Sequence, residues 1–146
     1  MTFAQNIEKI LPREYFEVVP AIAYQDYMKL MEAGDMALDS FHFGGCNSVV
    51  DNLYLHKPTV VFEGDRWYNR IAAHMLRQVG LVDLIAATEQ DYIQIALKLI
   101  LDEKYRKSVG DRLSQVDFAE TLFSNRDAAG FKSTIDTLIQ NHLGQA

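Results

Sequence analysis

The chain has 146 residues, 49% of them hydrophobic, and a formal net charge of −6. This length supports one domain with its own hydrophobic core. The negative charge excludes the broad positive surface through which proteins bind the phosphates of nucleic acid. Cys46 is the only cysteine, so no internal disulfide can form and the chain suits a reducing cytoplasm.

No stretch of the sequence indicates a secreted or membrane protein. The N-terminal sequence MTFAQNIEKILP has neither the basic region nor the long apolar run of a signal peptide. No apolar run approaches the roughly 18 residues that span a bilayer. We therefore expect one cytoplasmic domain over residues 1–146, without association with nucleic acid or membranes.

The first 87 residues alternate between predicted strands and helices. In chain order these elements are strand Tyr15–Val19, helix Tyr24–Gly34, strand Met36–Asp39, a helix from Asn47 or Ser48 to about His56, strand Pro58–Phe62 and helix Trp67–Val79. The continuous apolar run PTVVF is typical of a strand buried in a parallel sheet. Leu81–Ala86 is predicted to be a short extended or single-turn connector.

Residues 88–142 are predicted to be helical. The three helices are Thr88–Leu101, with Thr88 as its cap, Glu103–Asp117 and Asp127–His142.

The alternation of strands and helices predicts an α/β fold. Parallel strands joined by right-handed crossovers give a Rossmann-like, three-layer arrangement, here followed by C-terminal helices. Three short strands are few for this class, and each edge strand leaves backbone groups unpaired. We therefore expect the chain to be the later part of a larger doubly wound domain.

Three segments leave the carboxyl ends of the predicted strands, where ligands bind in open parallel sheets: Pro20–Tyr24, Asp39–Ser48 and Glu63–Arg70. In the second segment, Gly44 and Gly45 allow a close approach of the backbone because no Cβ intrudes. The following helix start offers unpaired N–H groups and a positive dipole end to an anion. The same glycines also fit a purely structural turn, and the residues alone leave both interpretations open.

Asp51 lies about one helical turn, roughly 5 Å, beyond the predicted helix start. A carboxylate there repels a phosphate in direct contact, but it accepts hydrogen bonds from the hydroxyl groups of an attached ribose. A nucleoside diphosphate would satisfy both positions. The alternative is the capping box Ser48-x-x-Asp51, in which the carboxylate only satisfies backbone donors. Spacing does not separate these two interpretations.

An ordered series of motifs runs along the same part of the chain: D-x-x-L-D, F-x-F-G, V-D-x-L, P-x-V, E-G-D-R-x-x-x-R and V-G-L-x-x-L-I-A. Together they resemble the C-terminal half of the O-GlcNAc transferase and Spindly-like glycosyltransferases, and also the related bacterial adhesin N-glycosyltransferases. The resemblance extends from about Val18 to the last helix. It implies a GT-B fold, whose C-terminal Rossmann-like half binds the nucleotide sugar.

The resemblance also implies which residues bind UDP. Asp51 matches the family's ribose-binding aspartate, the glycine loop and helix start match the diphosphate-binding segment, and the backbone of Ile22 and the ring of Tyr24 match the segment that lines the uracil. The complete predicted set is Ile22, Tyr24, Gly44, Gly45, Cys46, Asn47, Ser48 and Asp51.

The catalytic residues are not identified by the sequence. Arg70 matches an arginine of the Spindly-like proteins, with a solvated helix arginine as the alternative interpretation, and His42 faces the donor sugar or is a surface or packing histidine. Cys46 stands where the O-GlcNAc transferases have a histidine and the adhesin enzymes a threonine, so the acceptor residue stays open. No His, Cys or Asp pair has metal-ligand spacing, and we expect neither a metal nor a cofactor.

These observations predict the UDP-sugar-binding half of a glycosyltransferase that transfers GlcNAc or a hexose to protein side chains. The implied partners are a UDP-sugar, a protein or peptide acceptor, and an N-terminal half that carries the diphosphate-neutralising lysine. We expect no transfer by this chain without that half. The alternative function is a non-catalytic interaction or regulatory domain that keeps a degenerate nucleotide pocket.

Overall fold

The computed structural model describes residues 3–124 and 126–143. The chain divides into two compact units, Met1–Ala33 and Gly34–Ala146. The first unit contains helix α1 (Phe3–Ile7), a 3₁₀ turn at Arg13–Tyr15 and helix α2 (Tyr24–Ala33). Helix α2 confirms the helix predicted from Tyr24.

The predicted strand Tyr15–Val19 is wrong. Tyr15 ends the 3₁₀ turn, and residues 16–23 form no regular element. Phe16 has extended backbone angles, φ −148° and ψ 154°. The β-branched residues that follow it also favour extended backbone, but a strand needs a hydrogen-bonded neighbour, and no described strand pairs with this segment.

The second unit is built on a parallel three-stranded sheet with the order β1–β2–β3. The strands are β1 (Ala37–Leu38), β2 (Thr59–Phe62) and β3 (Ile85–Ala86). Ala37 lies opposite Thr59, and Val61 lies opposite Ile85. The predicted α/β fold class is therefore confirmed.

Strand β3 lies in the segment that the sequence predicts to be a connector. A 3₁₀ turn at Val82–Leu84 leads directly into the two strand residues. Two residues are too few to show the alternation of apolar and polar side chains that identifies a strand. The observed sheet therefore has the predicted number of strands, with β3 in place of Tyr15–Val19.

The helices of the second unit are α3 (Asn47–Tyr54), α4 (Ile71–Gln78), α5 (Glu89–Leu101), α6 (Glu103–Ser114) and α7 (Arg126–Leu143). Thr88 caps α5 as predicted, since its Oγ1 accepts the Asp91 N–H at 3.1 Å and its own N–H donates to Asp91 Oδ2 at 3.1 Å. In the described ranges, no helix is both long and apolar enough to cross a membrane.

The hydrophobic core surrounds β2. Helices α3, α4 and α5 all contact this strand, and α5 also contacts β3. The largest side chains that are completely buried come from α3, α4, the segment before β3, α5 and α6: Leu53, Leu76, Leu81, Leu84, Leu99 and Leu113. Burial of such side chains contributes about 1.5–3 kcal/mol each to folding, so the sheet's position is fixed by the core.

Asp83 connects the turn before β3 to helix α6. Its carboxylate accepts two hydrogen bonds from Arg112, at 3.0 and 2.7 Å, and one from the Tyr105 hydroxyl at 2.7 Å. Burial alone would raise the pKa of the Asp83 carboxyl, but the hydrogen bonds from Arg112 and Tyr105 outweigh it and hold the pKa below 3.8. The charged form of Asp83 therefore stabilises the fold.

Replacing Arg112 with alanine should lower the free energy of unfolding at pH 7 by about 1 kcal/mol. This is the upper end of the range for ion pairs near the surface, because the contact is bidentate but partly screened by solvent. Because the folded-state pKa of Asp83 is depressed, its contribution is present above the unfolded-state pKa and is lost as pH falls through the folded-state value. The difference between Arg112→Ala and wild type should therefore shrink between pH 5 and the acid limit of folding.

Urea unfolding at several pH values measures this difference. Lys107→Ala on the same helix removes an exposed i,i+4 ion pair with Glu103 and should have a smaller effect at pH 7. A difference between Arg112→Ala and wild type that stays constant down to pH 3 would show that Arg112 acts by packing and not by its charge.

Candidate functional site

Asp39 is the first residue of the site and follows β1 directly. Its N–H donates to the Val60 carbonyl at 2.9 Å, which extends the pairing of β1 with β2. Its carbonyl accepts the Tyr92 hydroxyl from α5 at 2.6 Å, and its Oδ1 accepts the Gly45 N–H at 2.8 Å. Asp39 is only 8% exposed. It therefore ties the start and the end of the loop Ser40–Gly45 to the sheet.

Gly44 and Gly45 are required by close contacts within the protein. A Cβ on Gly45 would lie 2.7 Å from Asp39 Oδ1 and 2.7 Å from Ser48 Oγ, and one on Gly44 would lie 3.2 Å from Asp39 Oδ2 and 3.3 Å from the Tyr68 carbonyl oxygen. The close backbone approach expected from the sequence is thus present. In the free protein it is made to Asp39 and Ser48.

Helix α3 begins at Asn47, with Cys46 as its N-cap residue and no side chain capping its N-terminus. The predicted caps, Asn47 and Ser48, lie inside the helix, so the capping-box interpretation of Ser48 and Asp51 is wrong. The physical reason is that the chain turns at Cys46, which has φ −126° and ψ −80°. The helix therefore starts one residue earlier than an Asn47 cap predicts and two residues earlier than a Ser48 cap predicts.

Three consecutive amides at this helix start remain available to a ligand. The N–H groups of Val49 and Val50 both donate to the Cys46 carbonyl at 3.1 Å. The N–H groups of Cys46, Asn47 and Ser48 meet no acceptor among the described residues. Together with the positive end of the helix dipole, such amides favour an anion. The side chains of all three residues are exposed.

Asp51 is half-buried on α3. It lies three residues after Ser48, so the two side chains project from neighbouring positions on the same side of the helix. The backbone of Asp51 is therefore nearly one turn along α3 from Ser48.

The segment Glu63–Arg70 leaves the carboxyl end of β2 as a tight turn. The Gly64 N–H donates to the Asn69 carbonyl at 3.3 Å, and the buried Asn69 side chain accepts the Arg66 N–H at 2.9 Å. A 3₁₀ turn at Trp67–Asn69 follows, and α4 starts only at Ile71. The single helix predicted over Trp67–Val79 is therefore wrong, because Asn69 closes a separate turn ahead of α4.

Arg70 is held at the surface by Glu63. The Glu63 carboxylate accepts two hydrogen bonds from Arg77, at 2.9 and 2.5 Å, and one from Arg70 Nε at 3.4 Å. Hydrogen bonding from Arg77 first, and the charges of both arginines after it, hold the pKa of Glu63 below its ordinary value. The Arg70 side chain is 61% exposed, so it presents an oriented cation at the surface.

Aromatic contacts join the two segments of this edge. The Phe43 ring stacks on Tyr68 at 5.3 Å between centroids, with an angle of 13° between the planes. Trp67 meets Tyr68 edge to face at 5.6 Å, and both Phe43 and Trp67 are largely exposed. His42 is exposed in the same loop. The loop after β1 and the turn after β2 therefore form one continuous surface.

Ile22 and Tyr24 belong to the first unit. They line an open apolar groove of about 460 Å³ together with Val19, Pro20, Ala21, Tyr27 and Leu30. The exposed Tyr24 ring stacks on Tyr27 at 5.9 Å. The structure thus brings together the predicted residues from Gly44 to Asp51 in the second unit, while Ile22 and Tyr24 lie in a groove of the first unit.

Asp39 is the residue of this edge that sequence reasoning did not select. The available signal in the sequence was an acidic residue directly after a short strand and six residues before Gly45, the second glycine of a Gly-Gly pair. Over the described part of the chain, no group of three or more His, Cys, Asp or Glu side chains is placed to hold a metal ion.

A small parallel sheet with uncapped helix amides beyond its carboxyl edge defines a Rossmann-like α/β domain. The sequence matches the glycosyl transferase family 41 over residues 6–130, and the chain belongs to this family. The resemblance drawn from the motifs is confirmed.

Several relatives are similar to this chain. The probable UDP-N-acetylglucosamine–peptide N-acetylglucosaminyltransferase SPINDLY of Arabidopsis thaliana is 27% identical over 118 residues, which cover 77% of this chain and 13% of the relative. The UDP-glucose:protein N-beta-glucosyltransferase of Actinobacillus pleuropneumoniae is 26% identical over 106 residues, which cover 72% of this chain and 17% of the relative. The chain therefore spans a small part of each relative's length.

A solved structure is also similar. A point mutant of the O-GlcNAc transferase of Thermobaculum terrenum superposes with a TM-score of 0.68 at 28% identity, over 70% of this chain and 20% of that one. This similarity supports the assignment of the chain to part of a GT-B fold.

Replacing Gly45 with alanine should destabilise the protein by about 1–3 kcal/mol, because the added methyl group would overlap Asp39 Oδ1 and Ser48 Oγ. Gly110→Ala is the matched control. Its added Cβ would make only an ordinary contact of 3.4 Å with the His56 carbonyl oxygen, and alanine stabilises a helix interior by up to about 1 kcal/mol. Urea unfolding measures both variants. Equal stability of Gly45→Ala and wild type would contradict the observed loop geometry.

Proposed function

We propose that this chain binds the diphosphate of a UDP-sugar at the start of α3 and forms the donor-binding part of a glycosyltransferase that modifies protein side chains. The observation that carries the proposal is the row of three uncapped amides at Cys46, Asn47 and Ser48, on a chain that belongs to glycosyl transferase family 41. An anion satisfies these donors without any change in the backbone.

The chemical role of the site is electrostatic. When the bond between the sugar and the diphosphate breaks, negative charge develops on the leaving phosphate oxygen. Amides that already point at this position stabilise the charge without reorganisation. Arg70, oriented by Glu63 at the same edge, adds a cation. We assign neither proton transfer nor activation of the acceptor to a residue of this chain.

Asp51 is proposed to bind the ribose. A carboxylate one turn along the helix is too far from the uncapped amides to share a phosphate with them, but it is suitably placed to accept hydrogen bonds from hydroxyl groups of the attached sugar. Ile22 and Tyr24 are proposed to bind the uracil. Their apolar groove and the exposed Tyr24 ring support this role, since an exposed aromatic face stacks favourably on a base.

The donor and acceptor classes are proposed from the relatives. The plant relatives are named for transfer of N-acetylglucosamine from UDP-N-acetylglucosamine to peptides, and the bacterial relative for transfer of glucose from UDP-glucose to protein. Both names share a UDP-sugar and a protein acceptor. We infer GlcNAc or a hexose as the transferred sugar in cytoplasmic protein glycosylation, with an N-terminal half that completes the cleft and no metal or other cofactor.

The substitution Asp51→Ala should weaken UDP binding by about 1–3 kcal/mol, because it removes charge-assisted hydrogen bonds to the ribose. Isothermal titration calorimetry of the purified chain with UDP measures the change. Asp111→Ala is the matched control, since it removes the same charge from an exposed position on α6 and should leave the affinity almost unchanged.

The outcomes separate the two classes of function. UDP binding that is equal in wild type and Asp51→Ala would contradict the ribose role of Asp51. An absence of saturable UDP binding in wild type would contradict the donor-binding function and would favour a non-catalytic interaction or regulatory domain with a degenerate pocket.

A further inference from the structure

One oxygen of Asp39 is unusual among the described residues. Oδ1 accepts the Gly45 N–H, whereas Oδ2 is buried and has no hydrogen-bond donor. Burial raises the pKa of the Asp39 carboxyl, and the hydrogen bond from the Gly45 amide offsets this only in part. A buried carboxyl group with an unsatisfied oxygen destabilises the fold, so its presence at this position indicates a role other than stability.

We propose that Asp39 is the positioning residue of the diphosphate site: its carboxylate holds the Gly45 amide against the end of β1 and thereby directs the next three amides outward to the ligand. This inference rests on the proposed function, and it goes beyond it by assigning a residue that does not itself touch the ligand. Asp39 is thus distinct from Asp51, which is proposed to bind the ribose directly.

The carboxylate is well suited to this role because its own backbone is fixed from two directions. The Asp39 N–H is bonded to Val60 of β2, and its carbonyl is bonded to the Tyr92 hydroxyl of α5. The position of Oδ1 is therefore set by the sheet and by α5, and not by the loop that it organises. Phe41 packs against Phe62 and Tyr92, each at 5.1 Å between ring centroids, and anchors the loop between these points.

Gly45 is the residue through which this anchoring reaches the ligand site. Its amide is the last one before the N-cap residue Cys46, so fixing its direction sets the backbone from which α3 starts. The bond also removes Gly45 from the set of available donors. Of the predicted diphosphate-binding residues, Cys46, Asn47 and Ser48 then supply the amides, and Gly45 acts as their support.

The two oxygens of Asp39 predict different effects for two substitutions. Asparagine keeps an acceptor for the Gly45 amide and removes a negative charge that opposes the diphosphate. Asp39 Oδ2 and the Tyr68 carbonyl oxygen both lie close to Gly44. The side-chain NH₂ group of asparagine would place a hydrogen-bond donor in this space. Alanine removes the acceptor. A positioning role therefore requires Asp39→Asn to bind UDP with an affinity close to or above that of wild type, and Asp39→Ala to bind it weakly.

The experiment combines calorimetry with UDP and amide hydrogen exchange by NMR of the ligand-free proteins. We expect Asp39→Ala to raise the UDP dissociation constant at least tenfold and to lose exchange protection at the Gly45 amide. Asp39→Asn should stay within threefold of wild type or bind more tightly, with Gly45 still protected. The amides of Val60 and Val61 in β2 report whether each variant keeps the folded core.

Two results would overturn the inference. One is a Gly45 amide as protected in Asp39→Ala as in wild type, and the other is a loss of UDP affinity in folded Asp39→Asn equal to that in Asp39→Ala. If Asp39→Ala does not fold, the Asp39→Asn variant alone tests the inference. A positioning role requires Asp39→Asn to keep both the exchange protection of the Gly45 amide and the affinity for UDP. A wild-type chain without UDP affinity would contradict the proposed function, while Gly45 exchange would still test the contact in the free protein.

Discussion

Strand β2 is the element on which both the core and the candidate site depend, because within residues 3–124 and 126–143 both β1 and β3 pair with it alone. Its residues Thr59, Val60 and Val61 are completely buried, and α3, α4 and α5 all contact it. Parallel pairing sends the segments after β1 and β2 to the same edge of the sheet. The loop after β1 and the turn after β2 meet there through Phe43 and Tyr68. The burial of one short strand therefore positions the residues of the candidate site.

The electrostatics of this edge combine opposing contributions. The uncapped amides of α3 and the Arg70 cation attract an anion, whereas Asp39 and Asp51 are acidic. Asp39 is buried beside Gly44 and Gly45, and its carboxylate accepts the Gly45 amide within the loop. Asp51 lies about one turn along α3 from the uncapped amides. An anion with a hydroxyl-bearing group attached fits this pattern better than an isolated phosphate does, because its second group meets a carboxylate acceptor.

Much of the fold could be predicted from the sequence where apolar periodicity or turn chemistry is strong. The apolar run Pro58–Phe62 identified β2, and Thr88 identified the start of α5. Tyr15–Val19 and β3 could not be assigned correctly, because strand formation in such short segments depends on which partner lies alongside, and this is a tertiary property. The same limit applies to the site. The glycines were selected from the sequence and Asp51 from the family resemblance. The N-cap position of Cys46 and the contact between Asp39 and Gly45 depend on the three-dimensional course of the loop.

NMR titration of the ¹⁵N-labelled chain with UDP tests whether the amides at the start of α3 bind the diphosphate. If they do, the chemical shifts change saturably and most strongly for the amides of Cys46, Asn47 and Ser48. The amides of Lys57 and Gly110, which line a separate cleft beyond the C-terminal end of α3, should shift much less. Saturable shifts that are largest at Lys57 and Gly110, with Cys46, Asn47 and Ser48 unaffected, would contradict binding of the diphosphate at the start of α3.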